Sequence, residues 1–215
     1  MKTAIPVTTL FLDVGGVLLT NGWDHHARRR AARNFNLKWA EMQDRHSLNF
    51  AAHEEGRVTF REYLNRVVFY KKQSFTRDEF RLFMFSQSKP YPKMIELVRN
   101  LKGHYGLRIA VVSNESREVN AHRIREFKLD GFVDTFISSC FVHARKPDVE
   151  MFQLALDIAQ APACNVLYIE NTPMFVQIAE GLGIRSILHT DYKSTRAKIA
   201  SFGLLKDGKE SNETR

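Results

Sequence analysis

Cysteine is scarce in this chain, whose 215 residues include only Cys140 and Cys164. Two cysteines cannot build the disulfide framework of a small secreted protein, and both stand among apolar residues. We therefore expect two reduced thiols in the core of a cytoplasmic protein.

Long apolar runs are absent as well, so no membrane-spanning helix is predicted. Lys2 precedes an apolar stretch, as in a signal peptide, but Asp13 interrupts that stretch and no small-residue cleavage pattern follows. We expect neither a signal peptide nor a membrane partner.

Positive charge is in excess but is not gathered into one block. The net charge of +8 favours a small anionic ligand, and we do not predict nucleic-acid binding from it. The cluster Arg28-Arg29-Arg30 with Arg33 spreads around the circumference of a helix. It is either a solvated helix face or a basic rim over a substrate entrance.

Strand and helix patterns alternate after residue 89. This alternation predicts an α/β fold, a doubly wound parallel sheet with helices on both faces. The predicted strands, including one before the alternation begins, are Thr8–Leu12, Leu107–Val112, Thr135–Ser138, Val166–Ile169 and Ile184–Leu188. The predicted helices are Pro92–Leu101, Ser116–Phe127, Asp148–Ala159, Pro173–Leu182 and Lys193–Ser201.

Residues 20–88 contain no strand pattern and are predicted to form a helical cap domain. Two of its helices begin with capping boxes, because Thr59 and Thr76 are each followed three residues later by Glu. The predicted helices are Asp24–Phe35, Lys38–His46, Thr59–Tyr70 and Thr76–Ser86. The predicted core comprises residues 1–19 and 89–205, and the polar tail, residues 206–215, is expected to be disordered.

Asp13 directly follows the first strand and precedes a glycine turn. A carboxylate buried there without a partner would cost several kcal/mol or more. Ligands bind at the carboxyl ends of the strands in such folds. Asp13 is therefore a candidate active-site residue, although it could also cap the following turn.

Other polar side chains stand where further strands end or a helix begins. Ser113-Asn114 follow one strand, Lys146 precedes a helix, and Glu170-Asn171 follow another strand. Asp13 would be a nucleophile that forms a covalent ester or acyl phosphate. Ser113, the Asn114 backbone N–H and Lys146 would hold the anion. Glu170 and the Asn171 amide oxygen would hold Mg²⁺.

The order Asp13-x-Gly15-Gly16-Val17-Leu18, Ser113-Asn114, Lys146-Pro147 and Glu170-Asn171 resembles the four motifs of the haloacid dehalogenase-like (HAD) hydrolases. The insertion after the first motif is similar to the cap of that superfamily. The resemblance implies a Rossmann-like core, Asp13 as nucleophile, and Mg²⁺ held by Asp13, the backbone carbonyl of Gly15, Glu170 and Asn171.

Two positions depart from the pattern of the family's phosphatases. Gly15 stands where those enzymes carry an acid that protonates the leaving group, a contribution worth about 10²–10⁴-fold. Asn171 stands where a second acid is common, which should weaken Mg²⁺ binding. We expect the rate to depend steeply on the leaving group unless another acid, such as Glu170 or Asp24, replaces the missing one.

Three functions remain open. The first is a phosphatase that acts on a small phosphorylated metabolite through an aspartyl phosphate. The second is a metal-independent 2-haloacid dehalogenase, in which Arg45 or an arginine among Arg28–Arg33 binds the substrate carboxylate; the absence of a bulky residue after Asp13 speaks against it. The third is a non-catalytic anion-binding or regulatory protein. The sequence leaves the oligomeric state open.

Overall fold

The computed structural model describes residues 6–205, so the predicted tail lies outside the described residues. Five strands form a parallel sheet in the order β3-β2-β1-β4-β5. They are β1 (Thr9–Leu12), β2 (Arg108–Ser113), β3 (Thr135–Ser138), β4 (Val166–Glu170) and β5 (Arg185–Leu188). The doubly wound α/β fold is confirmed, and each predicted strand exists within one residue of its predicted ends.

Helices cover both faces of the sheet. Met94, Leu97 and Leu101 of α5 pack with Ile199 of α10 on one face, and α8 and α9 pack on the other. The helices after the insertion are α5 (Pro92–Tyr105), α6 (Arg117–Glu126), α7 (Ser139–Val142), α8 (Val149–Ala159), α9 (Pro173–Gly181) and α10 (Tyr192–Ser201). The four-residue helix α7 has no counterpart in the sequence prediction.

The insertion consists of four helices around an apolar cluster of its own. They are α1 (His25–Asn34), α2 (Trp39–Glu54), α3 (Phe60–Val67) and α4 (Arg77–Ser86). Both predicted capping boxes are present, at Thr59 and at Thr76.

Helix α2 runs eight residues beyond its predicted end. The prediction ended at His46, but the buried face continues through His53. Buried histidines take the inward positions that apolar residues usually hold. The helix ends just before Gly56, whose φ of 70° breaks the helical path.

The two cysteines differ in environment. Cys140 is buried, as expected, and burial raises the pKa of its thiol to about 12. The expectation of a core position is wrong for Cys164, which is exposed because it lies in the short 3₁₀ turn Ala163–Asn165 before β4. Among residues 6–205, no helix is long and apolar enough to cross a membrane.

Candidate active site

Asp13 and Lys146 meet at the carboxyl edge of the sheet. Asp13 directly follows β1 and is only 8% exposed, and Lys146, in the loop before α8, is 1% exposed. The Lys146 Nζ donates to Asp13 Oδ1 over 2.8 Å and to Glu170 Oε2 over 2.7 Å. A single ammonium group therefore bridges two carboxylates of the site.

Glu170, the last residue of β4, is held by several further donors. Its Oε1 accepts from the backbone N–H groups of Asn171 and Thr172, each over 2.9 Å. Its Oε2 accepts from the hydroxyl of Tyr168, which in turn accepts from Lys146 Nζ over 3.1 Å. Glu170 is thus a fixed counter-ion for Lys146, and both of its carboxylate oxygens are already engaged.

Ser113 and Asn114 lie beside this group at the end of β2. The Ser113 side chain interacts with the Asp13 carboxyl. The Asn114 amide makes two bonds to the backbone of Lys146, donating to its carbonyl over 2.8 Å and accepting from its N–H over 2.9 Å. The Asn114 side chain therefore fixes the loop that carries Lys146, a role that the sequence did not predict.

Burial and charge act in opposite directions on the two central groups. Burial raises the pKa of Asp13, and Glu170 adds to the rise, whereas Lys146 opposes it. Burial alone would lower the pKa of Lys146, but the carboxylates of Asp13 and Glu170 outweigh it and raise that pKa. Lys146 is therefore a permanent cation, and its charge counteracts the effect of burial on the pKa of Asp13.

An oxygen-rich position lies next to Asp13. The nearest atom of the Asn171 amide is 2.9 Å from Glu170 Oε1 and 3.1 Å from the Gly15 carbonyl oxygen. When the NH₂ group occupies this position, it donates to both oxygens. When the amide is turned over, its oxygen lies 2.9 Å from Glu170 Oε1 and 3.1 Å from the Gly15 carbonyl oxygen. Adjacent oxygen ligands of octahedral Mg²⁺ at ~2.1 Å lie about 3 Å apart. The residues present therefore fit a Mg²⁺ ion.

The glycine turn Gly15-Gly16 borders this candidate Mg²⁺ position. Gly16 has a φ of 79°, and a Cβ on it would meet the Asn171 side chain at 2.1 Å. Gly15 has no left-handed φ, and a Cβ there would meet Asn21 Oδ1 at 3.2 Å. Gly16 is thus required by the backbone, while position 15 could hold a side chain after a small adjustment of Asn21.

A cavity of about 490 Å³ opens above Asp13, between the core and the insertion. The insertion contributes aromatic and basic side chains to its wall, among them Trp23, Arg28, His46, His53 and Tyr63. Burial, together with the nearby Arg28 charge, lowers the pKa of His46 to about 3, so this imidazole is neutral at physiological pH.

The arginines named in the sequence analysis separate in the structure. Arg28 is buried and lines the cavity, so the expectation of a solvated face is wrong for it, whereas Arg29, Arg30 and Arg33 are exposed. Arg45 is not part of the cavity wall; its guanidinium lies over the Tyr70 ring and donates to the Arg66 carbonyl.

The sequence profile of the haloacid dehalogenase-like hydrolases matches residues 7–183. The chain belongs to this family. The resemblance drawn from the four motifs is confirmed.

Curated and structural relatives extend this finding. A protein named as a pyrophosphatase, PpaX of Caldanaerobacter subterraneus subsp. tengcongensis, is 25% identical over 114 residues, which are 53% of this chain. The match covers 49% of PpaX, so it spans about half the length of this curated relative.

Two solved structures share the fold at low sequence identity. The HAD family enzyme BT-2542 of Bacteroides thetaiotaomicron, in complex with magnesium and inorganic phosphate, is 16% identical with a TM-score of 0.69. The alignment covers 84% of this chain and 93% of that enzyme. The L-2-haloacid dehalogenase of Xanthobacter autotrophicus, with chloropropionic acid covalently bound, is 14% identical with a TM-score of 0.61, covering 93% and 85%.

In this HAD hydrolase, sequence reasoning missed one buried ion pair on the cavity wall. Glu115 and Arg123 are 5% and 3% exposed, and Arg123 Nη1 donates to Glu115 Oε1. Glu115 directly follows the second motif, and that position was the one signal available. Because Arg123 lies in a polar helix with no strong apolar face, its burial could not be anticipated.

Proposed function

We propose that this HAD hydrolase is a phosphatase that acts on a small phosphorylated metabolite through an aspartyl phosphate on Asp13. The observation that carries the proposal is the buried Lys146 ammonium 2.8 Å from Asp13 Oδ1, at the floor of a cavity large enough for a small metabolite. This arrangement suits a reaction in which a carboxylate must approach an anion.

The chain's own residues would divide the reaction as follows. Asp13 attacks phosphorus and the bond to the leaving oxygen breaks, which leaves a phosphoryl group on Asp13. Lys146 and the Ser113 hydroxyl, with the Asn114 backbone N–H, stabilise the charge on the phosphoryl oxygens. Water then attacks phosphorus, releases phosphate and restores the Asp13 carboxylate.

The residues that would hold Mg²⁺ are Asp13, Glu170, Asn171 and the Gly15 carbonyl. Bound there, the ion would neutralise part of the phosphoryl charge. Support comes from the spacing of the Gly15, Glu170 and Asn171 oxygens and from BT-2542, which was crystallised with magnesium and phosphate. Among residues 6–205 no three His, Cys, Asp or Glu side chains form a metal cluster, so carbonyl and amide oxygens must take part.

We also propose that residues 20–88 act as a cap over a core of residues 1–19 and 89–205. The end of α2 supports this, because it contacts the core directly: the Glu54 carbonyl accepts from Ser139 Oγ and the Glu54 carboxylate pairs with Arg145, both over 2.7 Å. Cap side chains would then select the organic part of the substrate.

A second candidate, a 2-haloacid dehalogenase, is favoured by Arg28. This buried guanidinium lines the cavity and is suited to a substrate carboxylate, and halide leaves without a proton, so Gly15 would be no defect. Arg28 is already held by the Trp23 carbonyl over 2.7 Å and by Gln43 over 3.1 Å, which favours a structural role for it.

An assay of phosphoesters, acyl phosphates and 2-halo acids, each with Mg²⁺ and with chelator, tests these functions. We expect phosphate release that requires Mg²⁺. Halide release that persists in chelator would select the dehalogenase. No turnover, with phosphate binding still measurable by calorimetry, would select the non-catalytic anion-binding protein.

Asn171→Asp is expected to lower the Mg²⁺ concentration needed for half-maximal activity, because a carboxylate binds a hard cation more strongly than an amide does. Without Mg²⁺ this variant should also be less stable, since its new carboxylate would lie about 3 Å from Glu170 Oε1. Both effects are measurable, by Mg²⁺ titration of the activity and by thermal melts at increasing Mg²⁺.

Asn100→Asp is the matched control, because it adds the same charge on the exposed surface of α5. Its Mg²⁺ requirement and its Mg²⁺-dependent melting shift should equal those of the wild type. Equal Mg²⁺ responses of Asn171→Asp and Asn100→Asp would place residue 171 outside the metal site.

A further inference from the structure

Gly15 leaves the proposed phosphatase without the usual acid that protonates the leaving oxygen. Asn21 and Arg123 border the space that a side chain at position 15 would fill. A Cβ on Gly15 would be 3.8 Å from Arg123 Nη1. That nitrogen donates to Glu115 Oε1. The Glu115 carboxyl is therefore linked, through the Arg123 guanidinium, to the space that a side chain at position 15 would fill.

The Glu115 carboxyl is held in place but is not fully used. The Glu115 backbone N–H donates to Ser139 Oγ over 2.9 Å, and Arg123 binds Oε1. The other oxygen, Oε2, accepts no hydrogen bond from the described residues, and Glu115 lines the cavity together with Asp13 and Gly15. One carboxyl oxygen is therefore available to a bound substrate.

Arg123 is itself fixed by both connections between the core and the insertion. Its Nε donates to Ser88 Oγ over 2.9 Å and its Nη2 donates to the Thr20 carbonyl over 3.3 Å. The Glu115 carboxyl, which Arg123 orients, is consequently held in a fixed position relative to both the sheet edge and the insertion. A group that must reach a leaving oxygen needs such a fixed position.

We propose that Glu115 is the catalytic acid and base of this enzyme, supplying from the loop after β2 the carboxyl group that position 15 lacks. This inference rests on the proposed phosphatase function. In the first step, Asp13 forms its bond to phosphorus, the bond to the leaving oxygen breaks, and the Glu115 proton passes to that oxygen. In the second step, water attacks phosphorus, its proton returns to Glu115, and phosphate and free Asp13 are released.

The protonation state of Glu115 agrees with this role. Burial is the main cause that raises the pKa of its carboxyl to about 7, the negative charges of Asp13 and Glu54 contribute to this rise, and Arg123 opposes it. A group with this pKa can both give and accept a proton near neutral pH. A bound phosphate adds negative charge and raises the protonated fraction further.

The other carboxyl groups of the cavity are less suited. Glu170 is held by Lys146, Tyr168 and two backbone N–H groups. Asp24 caps α1, where its Oδ1 accepts from the Ala27 N–H over 2.7 Å. Glu54 pairs with Arg145 across the boundary between the insertion and the core, and it is the competing candidate that the experiment must exclude.

The test compares kcat/KM for alkyl phosphates with kcat/KM for aryl phosphates that have good leaving groups, in wild type, Glu115→Gln and Glu54→Gln. We expect Glu115→Gln to lose about 10²–10⁴-fold on alkyl phosphates and much less on aryl phosphates, because only poor leaving groups need the proton. The fall of alkyl kcat/KM above about pH 7 in the wild type should disappear in this variant.

Glu126→Gln controls for the loss of a charge from the adjoining helix, since Glu126 is exposed on α6, and it should behave as the wild type. An equal loss on both substrate classes in Glu115→Gln would overturn the proposal and leave Glu115 a structural partner of Arg123. A selective loss that appears in Glu54→Gln instead would overturn it as well. A wild type that hydrolyses no phosphate compound refutes the phosphatase function and, with it, the role of Glu115.

A second variant separates catalysis from folding. Gly15→Asp needs no left-handed backbone, only a small adjustment of Asn21, and its carboxyl would enter the space that Arg123 borders. In the double variant with Glu115→Gln, it should raise kcat/KM for alkyl phosphates at least 10-fold over that of Glu115→Gln alone. Repair of a folding defect would instead raise kcat/KM for alkyl and aryl phosphates alike. A well-folded double variant whose kcat/KM for alkyl phosphates stays at the level of Glu115→Gln would count against the proposal.

Discussion

Asp13→Asn should abolish turnover and leave the fold intact. The amide is nearly isosteric with the carboxylate but is a poor nucleophile, and removal of a nucleophile commonly costs about 10⁴-fold or more. The fold should survive because Lys146 keeps its 2.7 Å bond to Glu170 and its bond to Tyr168. Steady-state rates on the preferred phosphate compound, with circular dichroism and thermal melts, measure both halves of this expectation.

Asp130→Asn is the matched control, because Asp130 is exposed and lies outside the cavity. It should retain the wild-type rate. A direct measurement is acid quenching of the wild type during turnover, followed by peptide mass spectrometry, which should find the phosphoryl group on Asp13. More than about one-thousandth of the wild-type rate in Asp13→Asn, from protein free of contaminating hydrolase, would contradict the nucleophile assignment.

The sequence predicted the parts of the site that depend on the ends of parallel strands. Asp13, Ser113 and Glu170 could be brought together because each lies at the carboxyl end of an apolar strand, and adjacent parallel strands end at one edge. Lys146 follows β3 after a short helix, so its approach to that edge was also foreseeable. These inferences need topology alone.

The missed features depend on packing between segments that are distant in sequence. Arg28 was assigned to a basic surface, but the fold buries it against Trp23 and Gln43. Tyr168 lies within the predicted strand Val166–Ile169, and the strand pattern does not show that its hydroxyl joins the charged network. Alternation of residue types does not reveal where a long side chain ends, so these roles could not be predicted.

The absence of an acid at position 15 illustrates the same difficulty. The sequence showed that Gly15 cannot donate a proton and suggested Glu170 or Asp24 instead. In the structure both of these carboxylates are held by other groups, while Glu115, marked in the sequence only by its place directly after the second motif, is linked to the vacant space through Arg123. A replacement residue from another segment leaves little local signal, because its function depends on three-dimensional placement.

Lys146→Ala should weaken phosphate binding, lower the rate, and destabilise the fold by about 3–5 kcal/mol, the usual result of removing one partner from a buried ion pair. The variant leaves Asp13 and Glu170 facing each other without a cation. Burial already raises the pKa of Asp13, and without the opposing Lys146 charge that pKa rises further above its unfolded value, so the folded state takes up a proton first as the pH falls. The stability deficit should therefore be largest at high pH and shrink on acidification.

Urea titrations of Lys146→Ala between neutral and mildly acidic pH test the deficit and its pH dependence, and calorimetry with inorganic phosphate tests anion binding. Lys102→Ala is the matched control, since Lys102 Nζ lies 2.6 Å from Asp134 Oδ1 in a partly exposed pair whose loss should cost no more than about 1 kcal/mol. Adding Glu170→Gln to Lys146→Ala removes one of the two opposed carboxylates and should recover part of the stability. A stability deficit that is independent of pH and no larger than that of Lys102→Ala would mean that burial does not intensify the charge interactions at Asp13. Unchanged phosphate affinity would mean that Lys146 does not hold the anion.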